Sequence, residues 1–154
     1  AAKRGKNATF VPQGRIWDVP GDIAMPSATQ NELGSDDAAA LIRNGVIAVV
    51  EGSNMPCTPD AVELFQKSSV LFAPGKAANA GGVAASALEM IQNASRESWD
   101  FASSEERLRQ TMHQIHDAAF DAAERYGSPG DYVVGANATA FVRVADAMLA
   151  QGII

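Results

Sequence analysis

Three side chains in one stretch of the sequence have types and spacing that could bind a flat ligand and a substrate. Asn79 offers an acceptor and two donors in one planar amide, which can match a nicotinamide carboxamide or a substrate amino group. Val83 and Ser86 are three residues apart, so a helix would place an apolar surface beside a hydroxyl. The glycines at 81 and 82 would let a ring approach the backbone closely.

Each of these residues also has an ordinary structural explanation. An isolated Asn before a helix most often caps that helix. A single Ser in an Ala-rich helix, such as Ser86, is usually only tolerated. The stretch therefore indicates a binding site only if other parts of the chain meet it.

Apolar runs bounded by turn residues predict the elements that would position these side chains. The predicted strands are 22–25, 46–50 and 70–72. The first two predicted helices are 36–44, capped by Ser35, and 59–65, capped by Thr58 with Pro59 at its first position. A long helix is predicted to begin near 79–82 and to end near Trp99, and another to begin at the capping pair Ser103 and Glu106 and to end at Tyr126. The last predicted helix is 137–150, which Gly152 ends. The inward faces are predicted to be Val83, Ala84, Ala87, Leu88, Ile91 and Ala94 in the long helix, and Phe141, Val144, Ala145 and Met148 in the last.

The order of strands and helices predicts a parallel sheet. The run 46–50 is β-branched without alternation, which is typical of a strand buried on both faces by helices. Right-handed crossovers would bring the three exit loops to one edge, where doubly wound sheets bind ligands. Those loops are 27–30, 52–54 and 75–79. We therefore expect these three loops to lie along one edge of the sheet, where a ligand could bind.

Composition excludes several classes of function. The chain has 154 residues, 47% apolar and 19% charged, which predicts one globular domain without disulfides or metals. A net charge of −6 argues against a nucleic-acid or anionic-membrane surface. No apolar run is read as a membrane span and no signal peptide is recognised, so we expect a cytoplasmic protein. The single Cys57 is compatible with a reducing compartment.

Motifs for independent catalysis are missing from the sequence. His113 and His116 are three apart on a predicted helix, but no Cys or paired carboxylate completes a metal site with them. There is no Gly-x-Ser-x-Gly elbow, Walker loop or Gly-x-Gly-x-x-Gly turn. The dinucleotide fingerprint belongs to the first strand–helix turn of a Rossmann domain, and the chain is expected to begin after it, with residues 1–5 read as the end of a helix.

Four segments together resemble the hexameric NADP-type glutamate dehydrogenases. They are Ala-Thr-Gln-Asn-Glu-Leu at 28–33, Glu-Gly-Ser-Asn-Met-Pro at 51–56, Ala-Pro-Gly-Lys-Ala-Ala-Asn-Ala-Gly-Gly-Val at 73–83 and Val-Ala-Asp-Ala-Met-Leu-Ala-Gln-Gly at 144–152. The resemblance covers nearly the whole chain and only the carboxyl-terminal part of that enzyme. It implies the later half of a Rossmann-type α/β cofactor domain at 1–100, followed by terminal helices at 101–154 that pack on it and toward a preceding substrate domain.

The resemblance also implies roles for individual residues. The cofactor side would comprise Ala28, Thr29, Gln30, Gly52, Asn54 and Asn79, and the substrate side Asn79, Val83 and Ser86. The family's catalytic Lys and Asp lie in the amino-terminal domain, so no catalytic residue and no metal are assigned here. The 154-residue chain alone is expected to be inactive.

The function implied by the resemblance is reversible NADP-dependent oxidative deamination of L-glutamate to 2-oxoglutarate and ammonia by a homohexamer, with a role in nitrogen assimilation. NAD stays possible, because the residues that meet the 2′-phosphate follow an earlier strand. Two alternatives are open: a dehydrogenase for an apolar amino acid, and a non-catalytic nucleotide-binding module. The Ser86 hydroxyl favours a carboxylate side chain over an apolar one.

Overall fold

A parallel three-stranded sheet organises the first half of the molecule. The computed structural model describes residues 11–12 and 14–152, so the helix end expected at residues 1–5 lies outside the described residues. The strands β1 (Ile23–Ala24), β2 (Ala48–Val50) and β3 (Leu71–Ala73) pair in the order β1-β2-β3. Both pairings are parallel, with Val49 opposite Ala24 and Phe72. The parallel sheet predicted from the sequence is confirmed.

Six α-helices follow the strands or connect them in the described chain. They are α1 (Ser35–Arg43), α2 (Pro59–Gln66), α3 (Gly75–Ala78), α4 (Ala80–Ser95), α5 (Phe101–Arg125) and α6 (Tyr132–Gln151), preceded by a short 3-10 helix at Ile16–Asp18. A helix follows each strand, as the alternating pattern predicted.

Among residues 11–12 and 14–152, side chains on one face of the sheet are buried and those on the other are not. Ala24, Val49 and Phe72 share that face and are at most 7% exposed. They form one core with residues of α1 and α2, in which the rings of Phe65 and Phe72 stack at 5.7 Å. Burying a side chain such as Phe65 contributes about 1.5–3 kcal/mol.

The opposite face of the sheet is open. Ile23 and Leu71 flank Ala48 on it and are 59% and 61% exposed. The prediction that β2 is buried on both faces is therefore wrong for the described chain, because α1 and α2 both pack against the face that carries Val49.

The helix caps agree with the sequence in one case and differ in two. Thr58 accepts a hydrogen bond from the Ala61 N–H and Pro59 is the first residue of α2, as predicted. The cap of α1 is Gly34 rather than Ser35. The cap of α5 is Asp100, whose carboxylate accepts from the Ser103 N–H at 2.8 Å, and not the pair of Ser103 and Glu106.

The long helix predicted after the third strand is shorter and preceded by an extra turn. The one-turn helix α3 ends at Ala78 with Asn79 as its C-cap, and α4 then runs to Ser95, followed by Arg96 in a left-handed conformation with φ of 58°. No residue of α4 is buried, and Val83 and Ile91 are 71% and 55% exposed. Of the predicted inward face, Ala84 and Leu88 are half-buried, whereas the other four residues are exposed in the described chain.

The last two helices cross at a very close contact. A Cβ on Gly135 would lie 2.0 Å from the carbonyl oxygen of Ala119, so only glycine permits this approach. Thr139 adds a hydrogen bond from its hydroxyl to the Ala118 carbonyl at 2.9 Å. Asp131 caps α6 by accepting from the N–H groups of Val133 and Val134.

The predicted limits and inward face of α6 need correction. The helix begins at Tyr132, five residues before the predicted start, while its end at Gly152 is confirmed. Phe141, Val144 and Met148 are 72%, 60% and 64% exposed rather than inward. The linker-like segment 127–130 is the loop between α5 and α6.

By length and composition alone, α6 could span a bilayer, contrary to the interpretation of the sequence. Its 20 residues include a window with a mean hydropathy of 1.3 that is 11% buried. Helices that pack against protein meet the same criterion, and α6 packs against α5 through Gly135 and Ala136. This single helix is therefore weak evidence for a membrane.

Candidate functional site

An open cleft lies where the three strands end. It has a volume of about 690 Å³ and is lined by Ala28, Gln30, Gly52, Ser53, Asn54, Asn79 and Val83. These residues come from the exit loops of β1, β2 and β3 and from the first turn of α4. The prediction that the exit loops meet at one edge of the sheet is confirmed.

The loops after β1 and β2 are joined by backbone hydrogen bonds. The Gly52 N–H donates to the Pro26 carbonyl at 2.9 Å, and the Asn31 N–H donates to the Met55 carbonyl at 3.0 Å. A Cβ on Gly52 would lie 2.2 Å from the Ser27 hydroxyl oxygen, so the glycine allows this contact. The two loops therefore form one connected wall of the cleft.

Asn54 and Asn79 meet across the cleft. The Asn79 amide nitrogen donates to the Asn54 side-chain oxygen at 2.6 Å. The Asn79 side chain makes no capping hydrogen bond to α4, so the interpretation of Asn79 as a side-chain cap is wrong. In the described part of the chain, the Asn79 oxygen and the Asn54 nitrogen have no other protein partner. The pair thus presents an acceptor beside a donor.

A buried carboxylate that the sequence analysis did not single out lies directly behind this pair. Glu51 is 6% exposed. One of its oxygens accepts from the Cys57 N–H at 3.2 Å and the other from the Gly75 N–H at 2.6 Å. The available signal was an acidic residue placed directly after an apolar strand.

Cys57 is enclosed beside the same carboxylate. Burial raises the pKa of its thiol strongly, and the nearby Glu51 charge raises it further. The thiol therefore stays protonated at neutral pH and is a poor nucleophile.

The other predicted site residues differ in their positions. Val83 lines the cleft, but Thr29 and Ser86 do not. The Ser86 hydroxyl donates to the Gly82 carbonyl one turn earlier, at 3.2 Å, and is exposed on α4. The Ala28 N–H donates to the Glu32 carboxylate at 2.9 Å, which holds the loop after β1.

The two histidines show no metal-binding arrangement. His116 contacts Asp117 and the Tyr132 hydroxyl, each at 3.0 Å, and so connects α5 to the start of α6. Within residues 11–12 and 14–152, no group of three or more His, Cys, Asp or Glu side chains could hold a metal ion.

Comparison with known proteins assigns the chain to a family. The sequence model of the Glutamate/Leucine/Phenylalanine/Valine dehydrogenase family matches residues 1–152. The chain belongs to this family. The resemblance recognised in the sequence is confirmed, as is a partial Rossmann-type α/β domain followed by carboxyl-terminal helices.

Individual relatives match most of this chain but only part of themselves. NADP-specific glutamate dehydrogenase of Escherichia coli (strain K12) is 58% identical over 138 residues, which are 90% of this chain and 31% of the relative. NAD-specific glutamate dehydrogenase of Bacteroides fragilis (strain YCH46) is 51% identical over 151 residues, 96% of this chain and 33% of the relative. The crystal structure of Plasmodium falciparum glutamate dehydrogenase superposes with a TM-score of 0.91 at 41% identity, covering 95% of this chain and 32% of that one. The chain thus spans about a third of the length of the relatives it matches.

Proposed function

We propose that this chain is the carboxyl-terminal, cofactor-side part of a glutamate dehydrogenase that oxidises L-glutamate to 2-oxoglutarate and ammonia with NADP. The observation that carries the proposal is the pair of Asn54 and Asn79 at the cleft, in a chain of this family. Relatives named for NADP and for NAD both match the chain, so NAD is the second cofactor to test.

The pair of amides fits one end of a nicotinamide cofactor. A nicotinamide carboxamide carries one acceptor and one donor group, which complement the Asn54 nitrogen and the Asn79 oxygen. The cleft is open, and its wall at Gly52 carries no side chain. When bound there, the cofactor supplies the hydride acceptor, and the protein supplies orientation.

On this proposal the other site residues surround the same ligand. Ala28, Thr29 and Gln30 belong to the loop on the cofactor side, and Gly52 lets that loop approach. Val83 and Ser86 lie on successive turns of α4 and would meet the side chain of the glutamate substrate. Asn79 would contact both the cofactor and glutamate. The proton transfers belong to residues outside this chain.

The substrate could instead be an apolar amino acid, because the family includes leucine, phenylalanine and valine dehydrogenases. Val83 favours this alternative, since it is an aliphatic side chain that is 71% exposed and lines the cleft. Ser86 favours glutamate, since its hydroxyl can partner a carboxylate. The relatives described above are named for glutamate.

The uncovered apolar faces of α4 and α6 support a longer protein. Leu149 and Phe141 of α6 are 79% and 72% exposed, and Val83 and Met90 of α4 are each 71% exposed. We propose that a substrate domain and neighbouring subunits of a homohexamer cover them, in a cytoplasmic enzyme of nitrogen assimilation. Arg143 and Asp146 within α6 fit such an interface better than a bilayer.

The test is a substrate panel with the full-length protein. We expect L-glutamate to be oxidised faster than leucine, valine or phenylalanine, and faster with NADP than with NAD, as followed by absorbance of the reduced cofactor. The 154-residue chain alone is the control and should be inactive, because it lacks the acid–base groups. Faster oxidation of an apolar amino acid would favour the alternative. No oxidation of any of the four would contradict the proposal.

A further inference from the structure

We propose that Glu51 is a positioning residue that sets the separation of Asn54 and Asn79 by tying two exit loops to one buried carboxylate. Its role in the reaction rests on the function proposed above, while its role in holding the loops does not. Glu51 touches neither amide side chain itself and acts through the backbone.

The two hydrogen bonds of Glu51 reach the two loops that carry the amides. The Cys57 N–H, at 3.2 Å, closes the loop after β2, which contains Asn54. The Gly75 N–H, at 2.6 Å, fixes the start of α3, and Asn79 is the C-cap of this one-turn helix. The Asn79 N–H donates to the Gly75 carbonyl at 2.9 Å, so a shift of Gly75 is transmitted to Asn79.

The burial of Glu51 indicates why a carboxylate is needed there. A buried carboxylate is unfavourable unless hydrogen bonds replace its water. Within the described residues, no Lys, Arg or His nitrogen lies within 4 Å of it; it faces the Cys57 thiol and accepts from the two backbone N–H groups. The hydrogen bond from the Gly75 nitrogen, at 2.6 Å, is the shorter of the two, the other being 3.2 Å. An apolar residue would fill the same space without joining the loops.

The consequence for the reaction follows from the distance between the amides. The Asn79 amide nitrogen lies 2.6 Å from the Asn54 side-chain oxygen, and both residues line the cleft. If the Gly75 N–H were released, α3 could move and Asn79 would lose its fixed position against Asn54. A displacement of about 1 Å at a reacting centre can lower the rate about 100-fold with little change in binding.

The test is Glu51→Gln in the full-length enzyme. Glutamine has the shape of glutamate but presents an NH2 group to one of the two N–H donors, so one hydrogen bond is lost. We expect kcat for glutamate to fall about 10- to 100-fold while KM for glutamate and NADP changes less than about threefold. The primary isotope effect with 2-deuterated glutamate should rise, because hydride transfer becomes slower than product release. Glu63→Gln is the control, since Glu63 is exposed on α2 and pairs with Lys67.

A merely structural role would give a different result. A lowered melting temperature with an unchanged isotope effect and normal kcat at low temperature would overturn the inference. If Glu51→Gln fails to fold, Glu51→Asp is used to test the inference instead. It keeps the charge and shortens the reach by one methylene, so the same fall in kcat is expected, and normal kcat would overturn the inference.

Amide hydrogen exchange separates this inference from the proposed function. Exchange at Gly75 or at Cys57, whichever N–H faces the new NH2 group, should quicken in Glu51→Gln whether or not the enzyme uses glutamate. Slow exchange at both amides would overturn the role of Glu51 in holding the loops. An inactive wild-type enzyme would contradict the proposed function. The exchange result would still decide whether Glu51 holds the two loops.

Discussion

The sheet with its exit loops and the group of helices α4 to α6 differ in how completely they bury their apolar side chains. In the first region Leu33, Val49 and Phe65 are all 0% exposed. In the second, Phe141 and Leu149 are 72% and 79% exposed, and the buried positions are small residues such as Ala119. The first region therefore has a core of its own, whereas the helices expose surfaces suited to contact with other protein.

The difference shows where the site derives its rigidity. The exit loops are held by short contacts within the chain, such as the Gly52 N–H to the Pro26 carbonyl at 2.9 Å. The helix α4, which carries Val83 and Ser86, has no buried residue. We infer that the loop wall of the cleft is held by contacts within this chain, whereas the α4 side depends on what packs against that helix.

The largest effect is expected from Gly135→Ala, which tests whether the helical region has any rigid contact. The new Cβ would lie 2.0 Å from the Ala119 carbonyl oxygen, so α5 and α6 must separate. We expect a loss of about 3 kcal/mol in the free energy of unfolding, at the upper end for overpacking. Chemical denaturation followed by circular dichroism measures it.

The matched control is Gly82→Ala. Nothing lies within 4 Å of a Cβ at Gly82, and alanine favours a helix by about 0.5–1 kcal/mol over glycine. Equal destabilisation by the two substitutions would contradict the close contact between α5 and α6.

Asn79→Ala tests the cofactor side. The side chain does not cap α4, so the substitution should leave the melting temperature nearly unchanged. It removes the hydrogen bond to Asn54, and we expect hydride transfer to slow about 10- to 100-fold, with a smaller effect on NADP affinity. Single-turnover kinetics of the full-length enzyme measure the rate. A lower melting temperature with normal hydride transfer would restore the interpretation of Asn79 as a cap.

Much of the first region could be predicted from the sequence because its signals are local. β-branched runs end at turn residues, and a helix between successive strands supplies the crossover that parallel pairing needs. The shared edge of the loops that carry Asn54 and Asn79 follows from that topology, whereas the hydrogen bond between their side chains was not predicted. Glu51 was missed because its partner Gly75 is 24 residues away and contributes a backbone N–H that has no signature in the sequence.

The helical region was predicted less well for two physical reasons. Ser103 with Glu106 fits the capping rule as well as Asp100 does, so residue types alone do not fix the first turn of α5. Periodicity also shows which face of a helix is apolar, but not whether this chain covers it. Phe141 and Val144 are apolar and regularly spaced, yet 72% and 60% exposed.

Ser86→Val tests whether α4 reads the substrate side chain. The hydroxyl now bonds to the Gly82 carbonyl, and a glutamate carboxylate would lose this possible partner. We expect kcat/KM for glutamate to fall roughly tenfold, near the lower end of the cost of an unpaired polar group, because Ser86 is exposed to water. Activity with valine or leucine should not fall in parallel. An unchanged kcat/KM for glutamate would remove Ser86 from the substrate site.

Thr58→Ala is a smaller test of the sheet region. It removes the cap of α2, and we expect a loss of about 1 kcal/mol in the free energy of unfolding. Ser35→Ala is the matched control, because Ser35 lies within α1 and Gly34 is the cap. A loss of similar size for Ser35→Ala would favour the cap predicted from the sequence.

The smallest effect is expected from Asp100→Asn at the start of α5. Hydrogen bonds from the Ser103 side chain, and then from the Ser103 N–H, hold the pKa of Asp100 below its usual range. A carboxyl group whose pKa is lowered by folding stabilises the folded state above its unfolded pKa, and this contribution disappears as the pH falls through the folded pKa.

The carboxylate is fully exposed, so solvent screens the contribution, and asparagine caps helices nearly as well. We therefore expect wild type to be slightly more stable than Asp100→Asn at neutral pH and the two to become equal in acid. Urea denaturation at a series of pH values, with carboxyl titration by NMR, measures both quantities. A stability difference that grows as the pH falls would contradict Asp100 as the cap of α5.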